Sequence, residues 1–304
     1  MPVWMALLLA AQHAAPAQDA PDAYNLPIGR GGTVMAQMGF TDTRTGKAVT
    51  ADDIAAACDG VQYLLVGESH ATPSHHKTQA DLMRALAKRG RHVSVGLEMF
   101  TRDHQLYING LSYGTKTIEE FETASDWKTQ WGHSYAAYRP VMEAVRDLHL
   151  PMVALNVPRA WVSQASKQGY DSFDEMQRKW VPMLDLTNKD HEMVFDALLG
   201  GHPPAMGGVN IYAGQVTWDT GMAKTALDWR RSWPGSKNIM VIMAGAGHVM
   251  YGQGIAYRMM QLEGAKSLCV VCVHDDPRPV RRGLADYAFV GELPPAPTGG
   301  GTRQ

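Results

Sequence analysis

The chain has 304 residues, of which 45% are hydrophobic and 19% charged, and its formal net charge is -2. That length supports one large domain or two small ones with a sizeable core, and the near-neutral balance gives no reason to expect nucleic acid as a partner. The 18 methionines read first as core filling, although thioethers also line apolar cofactor pockets.

The opening "MPVWMALLLAAQHAAPAQDAP" has an apolar stretch from Val3 to Ala11 and then Ala15-Pro16-Ala17, a small-x-small cleavage pattern. Residues 1–17 are therefore expected to be a signal peptide, with a mature chain from Gln18 that is exported and periplasmic or membrane-associated. The apolar stretch is too short for a permanent membrane span. The usual positive start is missing, and no lipobox cysteine follows to take a lipid anchor.

Five apolar, β-branched runs then read as strands: Gln62 to Val66, Val93 to Leu97, Met152 to Val157, Ile239 to Met243 and Ser267 to Val273. They are nearly continuous rather than alternating, as strands covered by helices on both faces should be. Thr72-Pro73 reads as an N-cap followed by Pro at the first helical position, opening a helix that Gly90 stops. Further helices are predicted over Tyr135 to Leu148, from Pro158, and over Gln215 to Trp229. This βαβα order predicts one α/β domain over residues 18–290 with a mainly parallel sheet flanked by helices. The stretch between the third and fourth strands is far longer than a crossover helix needs, so residues 163–212 are expected to form a helical insertion or lid. Residues 101–131 read as a second helical insertion, and the Pro/Gly-rich tail, 291–304, as disordered.

Of the cysteines, Cys58 stands alone. Cys269 and Cys272 lie on a predicted strand, where their odd separation points them to opposite faces, which argues against a disulfide, a zinc pair or a redox C-x-x-C.

Three glycine-bearing stretches fall at strand ends: Gly67-Glu68-Ser69-His70, Gly96-Leu97-Glu98 and Gly245-Ala246-Gly247-His248. In a parallel sheet these carboxyl ends share one edge, where α/β proteins place ligands, so His70, Glu98 and His248 could converge. Two imidazoles and a carboxylate suffice to hold a divalent metal with open positions, and Glu68 could serve as general base on a bound water. Asn156 and Arg159, in "ALNVPRAW", reach the same edge, and Arg159 could receive a carboxylate or phosphate. A lone histidine near a strand end is more often a hydrogen-bonded structural residue, and His75 and His76, at a helix start, are expected to be solvated.

The motifs "LLVGESH", "VGLEMF", "YRPVMEAV", "VALNVPR", "QVTWDTGMA" and "MAGAGHVMYGQG", in that order, resemble the ChaN-like haem-binding uptake family, which belongs with the Tiki and erythromycin-esterase-like proteins. The resemblance covers residues 60 to 275. It implies a parallel α/β core with a helical part, haem as cofactor, and a role in haem or iron uptake at the envelope, with haem-transport proteins as partners and a homodimer compatible with the lid. It does not settle the iron ligand. Tyr212, His202, His191, Tyr170 and Tyr113 lie in the insertions, and Tyr212 is preferred because tyrosinate suits a ferric carrier. Arg159 and Arg139 are the candidates for the propionates. Hydrolysis at the His70, Glu98 and His248 edge, with a divalent metal or by a histidine alone, is the competing expectation.

Overall fold

The computed structural model describes residues 21–29, 31–201, 208–273 and 276–291, so the expected signal peptide, His202 and residues 292–304 lie outside the described residues. In chain order the elements are β1 (Thr33–Ala36), β2 (Gly39–Asp42), β3 (Ala48–Val49), α1 (Ala51–Ala57), β4 (Tyr63–Glu68), α2 (Pro73–Lys88), β5 (His92–Thr101), α3 (Gln105–Ser112), α4 (Ile118–Ala124), α5 (Trp127–Gln130) and α6 (Tyr135–Leu148). They continue as β6 (Met152–Asn156), α7 (Arg159–Gln168), α8 (Glu175–Trp180), α9 (Lys189–Leu198), α10 (Ile211–Ser232), β7 (Asn238–Gly245), α11 (Ile255–Glu263), β8 (Ser267–Val273), β9 (Arg278–Arg281) and β10 (Tyr287–Val290).

One six-stranded sheet has the order β10-β8-β4-β7-β5-β6, and every pairing in it is parallel. The fold is thus the expected α/β class with a mainly parallel sheet flanked by helices. All residues of β4 and β7 are buried, which is why their sequences are continuous apolar runs. Successive side chains still alternate between faces. Leu64 and Val66 join Ile54, Leu82, Leu86 and Val141 in one core cluster, whereas Tyr63 and Leu65 join Met222, Ala226, Ile255 and Met259 in another. Helices α1, α2 and α6 therefore cover one face, and α10 and α11 the other. The segment 101–131 is helical, and its Ile108, Leu111, Ile118, Phe121 and Trp127 are part of the first cluster.

Strands β4 and β5 run past the glycines that seemed to end them, and β7 reaches Gly245. Glycine is a poor strand former in isolation, but the ladder continues through it because both neighbours are in register, with Gly67 opposite Ala244 and Glu68 opposite Gly245. The short β1–β3, β9 and β10 left no legible periodicity. At the outer edge of β6 the side chain of Gln105 acts as a substitute strand: its amide nitrogen donates to the Met152 carbonyl and its oxygen accepts from the Ala154 N–H, both at 2.8 Å. Cys58, Cys269 and Cys272 are buried and unpaired with one another, and burial pushes the Cys58 thiol up to about 12. No helix among the described residues is long and apolar enough to cross a membrane.

Helix α10 approaches the residue after β6 and helix α7 closely because it lacks side chains at two contacts. A Cβ on Gly221 would overlap the Val157 side chain, and one on Gly214 would meet Ser166 Oγ at 2.7 Å. Gly221→Ala is expected to destabilise the protein by about 1–3 kcal/mol despite the better helix propensity of alanine, with partial recovery when Val157→Ala is added. Urea denaturation of the single and double variants checks this, and an unchanged midpoint for Gly221→Ala would refute the close-packing argument.

Candidate functional site

Because β7 lies between β4 and β5, three adjacent strands deliver their carboxyl ends to one place. Glu68 is the last residue of β4 and is 3% exposed. Its Oε1 accepts from the Tyr138 hydroxyl at 2.7 Å and lies 3.0 Å from His70 Nδ1, while its Oε2 accepts from the Gln79 amide at 2.6 Å and stands 3.3 Å from His76 Nδ1. Burial alone would raise its pKa, but the His76 and His70 imidazoles hold it well below the ordinary 4.5.

The expectation that His75 and His76 are solvated is wrong. Both are buried, because the first turn of α2 packs onto the end of β4. His75 Nδ1 accepts the Ser69 backbone N–H at 3.0 Å, and His76 lies against Tyr138 with ring centroids 3.7 Å apart. His70 follows in a turn whose next residue, Ala71, is left-handed at φ 57°. With Nδ1 tied to Glu68, His70 places its Nε2 end beside Gly245 and near Glu98, under a half-buried Trp131 whose ring is edge-on at 4.6 Å. His133 is 5.0 Å away on the same side.

Glu98 sits inside β5 at the register shift against β6. Its Oε2 accepts the Gly245 N–H at 2.6 Å, and its Oε1 is 3.2 Å from His248 Nε2. His248 Nδ1 is in turn 2.6 Å from Asp219 Oδ1, with the Gln215 amide at 3.0 Å. Asp219, fully buried in the middle of α10, turns its Oδ2 to within 2.9 Å of His191 Nε2, a contact that stands on proximity and charge rather than on hydrogen-bond alignment. Arg258 approaches His191 Nδ1 at 3.1 Å, and a guanidinium can only donate, so that nitrogen accepts and the His191 proton belongs on Nε2, facing Asp219. A Cβ on Gly254 would overlap the His248 carbonyl, which explains the glycine there.

The charges settle one another. Burial would lower the pKa of His248, but the Glu98 and Asp219 carboxylates raise it to about 10. His70 is likewise raised against burial, by Glu68 and Glu98, whereas burial wins at His191 and lowers it. Glu98 is held low by His248 and His70 against the opposing effect of burial. Among the described residues no group of three or more His, Cys, Asp or Glu is arranged to hold a metal. The expected divalent metal at His70, Glu98 and His248 is therefore not supported, although the structure does bring those residues to one edge. Protons are what this arrangement can hold and exchange.

Asn156 reaches the same edge by donating to the Glu98 carbonyl at 3.0 Å. Arg159 is exposed at the start of α7, donates to the Gln130 carbonyl and has no carboxylate partner among the described residues. Arg139 is committed to Glu119 and Glu143. The Tyr212 oxygen does not face a cleft: it is 3.0 Å from His191 Nδ1 and donates to the Asn188 carbonyl, and burial pushes its pKa up. Tyr170 donates to the Val181 carbonyl, whereas Tyr113 is 73% exposed. Asp219, Gln79, Tyr138 and Gln215 went unread in the sequence. Gln215 and Asp219 carried a signal, since two polar residues four apart on a helix that is otherwise buried share one inward face.

Glu98→Gln is expected to cost about 3–5 kcal/mol by leaving His248 short of a counter-charge in the interior. The linkage to pH has two limbs. Glu68 and Glu98, lowered on folding, contribute stability above their ordinary 4.5 that is lost as pH falls through their folded values. His248, raised on folding, contributes fully below 6.5 and loses its contribution as pH rises toward about 10. Stability should be greatest between these limbs, and His248→Gln should flatten the alkaline one. Denaturation midpoints measured across pH test this, and an alkaline slope that persists in His248→Gln would refute it.

Comparisons with known proteins agree with the fold. A family described as haem-binding uptake, Tiki superfamily, ChaN matches residues 54–259. Among solved structures, that titled "Cofacial heme binding to ChaN of Campylobacter jejuni" superposes with a TM-score of 0.56 at 17% identity, covering 88% of this chain and 100% of that one. The erythromycin esterase EreC, as a mutant in its open conformation, gives 0.45 at 11% identity over 78% of this chain and 77% of its own. The type III effector HopBA1 gives 0.43 at 11% identity over 80% and 93%. No curated protein matches.

Proposed function

The chain belongs to the haem-binding uptake family of the Tiki superfamily, the ChaN family, and from this premise we propose that it binds haem and serves haem or iron uptake at the cell envelope. The observation that carries the reading is the family match across residues 54–259. The residues offer what a porphyrin needs: an apolar flank, an oxygen or nitrogen ligand free to reach iron, and a cation for a propionate.

Apolar and aromatic side chains are exposed or half-buried on α3, α7 and α8. Trp180 contacts Trp161 at 5.2 Å between ring centroids and carries the Arg102 guanidinium over its other side at 4.7 Å, which joins the α7–α8 pair to the start of α3. Met176, one helical turn before Trp180, is exposed, as are Leu106, Tyr107 and Tyr113. Leu106 and Tyr113 are seven apart and share a face of α3 and its C-cap. Among the described candidates Tyr113 fits as iron ligand, since Tyr212, Tyr170 and His191 have their polar atoms engaged inside the protein. Arg159, without a carboxylate partner among the described residues, fits a propionate. Bound haem would supply the ferric iron to be carried, and this chain's part is to hold it. An exported, periplasmic or membrane-associated location, hand-over to envelope haem-transport proteins, and a homodimer around the ligand are parts of the same proposal.

The test is a haem titration of residues 18–304 followed by absorption spectroscopy. A saturable Soret shift of defined stoichiometry is expected. Tyr113→Phe should abolish a tyrosinate charge-transfer band and weaken binding about tenfold or more, the scale of 1.4 kcal/mol. Arg159→Ala should weaken it about tenfold, by loss of a charge-assisted contact, without moving the Soret band. Weak, unsaturable partitioning by the natural chain would sink the reading.

A further inference from the structure

Helix α9 has the build of a separately movable element. It follows residues 181–188, which form no helix or strand, and it is left through Gly200 and Gly201, both at positive φ. Its inner face meets the site from outside the sheet. Leu198 Cδ1 occupies the place where a Cβ on Gly247 would stand, so the helix rests on the turn that carries His248. Phe195 packs on Tyr212, and Asn188, the N-cap, accepts from the Tyr212 hydroxyl through its carbonyl and donates to Gln253 through its side chain.

Among the described residues, the polar connection between this helix and His248 runs through one carboxylate. Asp219 is 0% exposed and is divided between two elements, with Oδ1 at 2.6 Å from His248 Nδ1 and Oδ2 at 2.9 Å from His191 Nε2 on α9. Lifting α9 removes His191 and leaves half of a buried carboxylate without its partner, so Asp219 must draw harder on His248 or admit water. Disturbing His248 likewise alters the charge that His191 faces.

We propose that α9 is a lid over the His248 turn and that Asp219 couples closure of the lid to the placement of His248. Asp219 and His191 act here as positioning residues. The inference stands apart from the haem reading, since it concerns access to the buried edge whatever occupies it. Coupling of this kind is reciprocal: opening of α9 biases the placement of His248, and displacement of His248 biases the opening of α9 by the same coupling free energy.

Hydrogen exchange of the full chain, followed at peptides covering residues 189–198 and 246–250 with β8 as reference, tests both directions. In His248→Gln, α9 is expected to exchange about tenfold faster, although residue 248 bonds to no side chain of α9. In Leu198→Ala, the turn at 246–250 should quicken along with α9, and this variant decides the matter if His248→Gln does not fold. Wild-type exchange of α9 in His248→Gln, or of the turn in Leu198→Ala, overturns the proposal. So does acceleration spread equally over β8, which reports general loosening rather than a lid.

Discussion

Three buried carboxylates, Glu68, Glu98 and Asp219, govern the arrangement of this protein around its sheet edge. Each isolated carboxylate would be prohibitively expensive to bury, and each is tolerated only because imidazoles and hydrogen-bond donors from other elements converge on it. Glu68 gathers the first turns of α2 and a tyrosine of α6. Glu98 fastens β5 to β7 through the Gly245 N–H, and Asp219 brings α10 to the turn after β7. The strand order matters for the same reason, since only with β7 between β4 and β5 do these groups meet.

What the sequence could reveal followed from this division of labour. The strands and the helices beginning at Pro73 and Tyr135 were legible because apolar runs and helix-start residues are local signals. Gathering of His70, Glu98 and His248 at one edge was legible because parallel strands share a direction. The fate of His75 and His76 was not, since a histidine in a first helical turn looks the same whether water or a strand end lies beside it. Asp219 and His191 were illegible as partners because their relation runs through the space between α9 and α10. A divalent metal was a natural expectation from residue types alone. The pairing of His248 with Asp219 was hidden from that reading, because this carboxylate comes from a helix far along the chain.

Family membership and the buried edge address different things. The residues proposed for a porphyrin, Tyr113, Leu106, Met176 and Arg159, are exposed, whereas the carboxylates and His248 of the cluster are buried. The cluster can therefore be preserved by the demands of folding even where the ligand sits elsewhere. The glycines next to it, Gly67, Gly245 and Gly254, are explained by crowding against backbone or side-chain atoms without reference to any bound molecule.

The Gln105 amide that answers the peptide groups of Met152 and Ala154 has a consequence for assembly. An outer parallel strand with free peptide groups invites a strand from another molecule to add to it, and such growth has no natural end. Here Gln105 of α3 takes up the Met152 carbonyl and the Ala154 N–H. A second copy approaching that side meets a helix in place of an open ladder, so contact there runs through side-chain surfaces and not through strand addition.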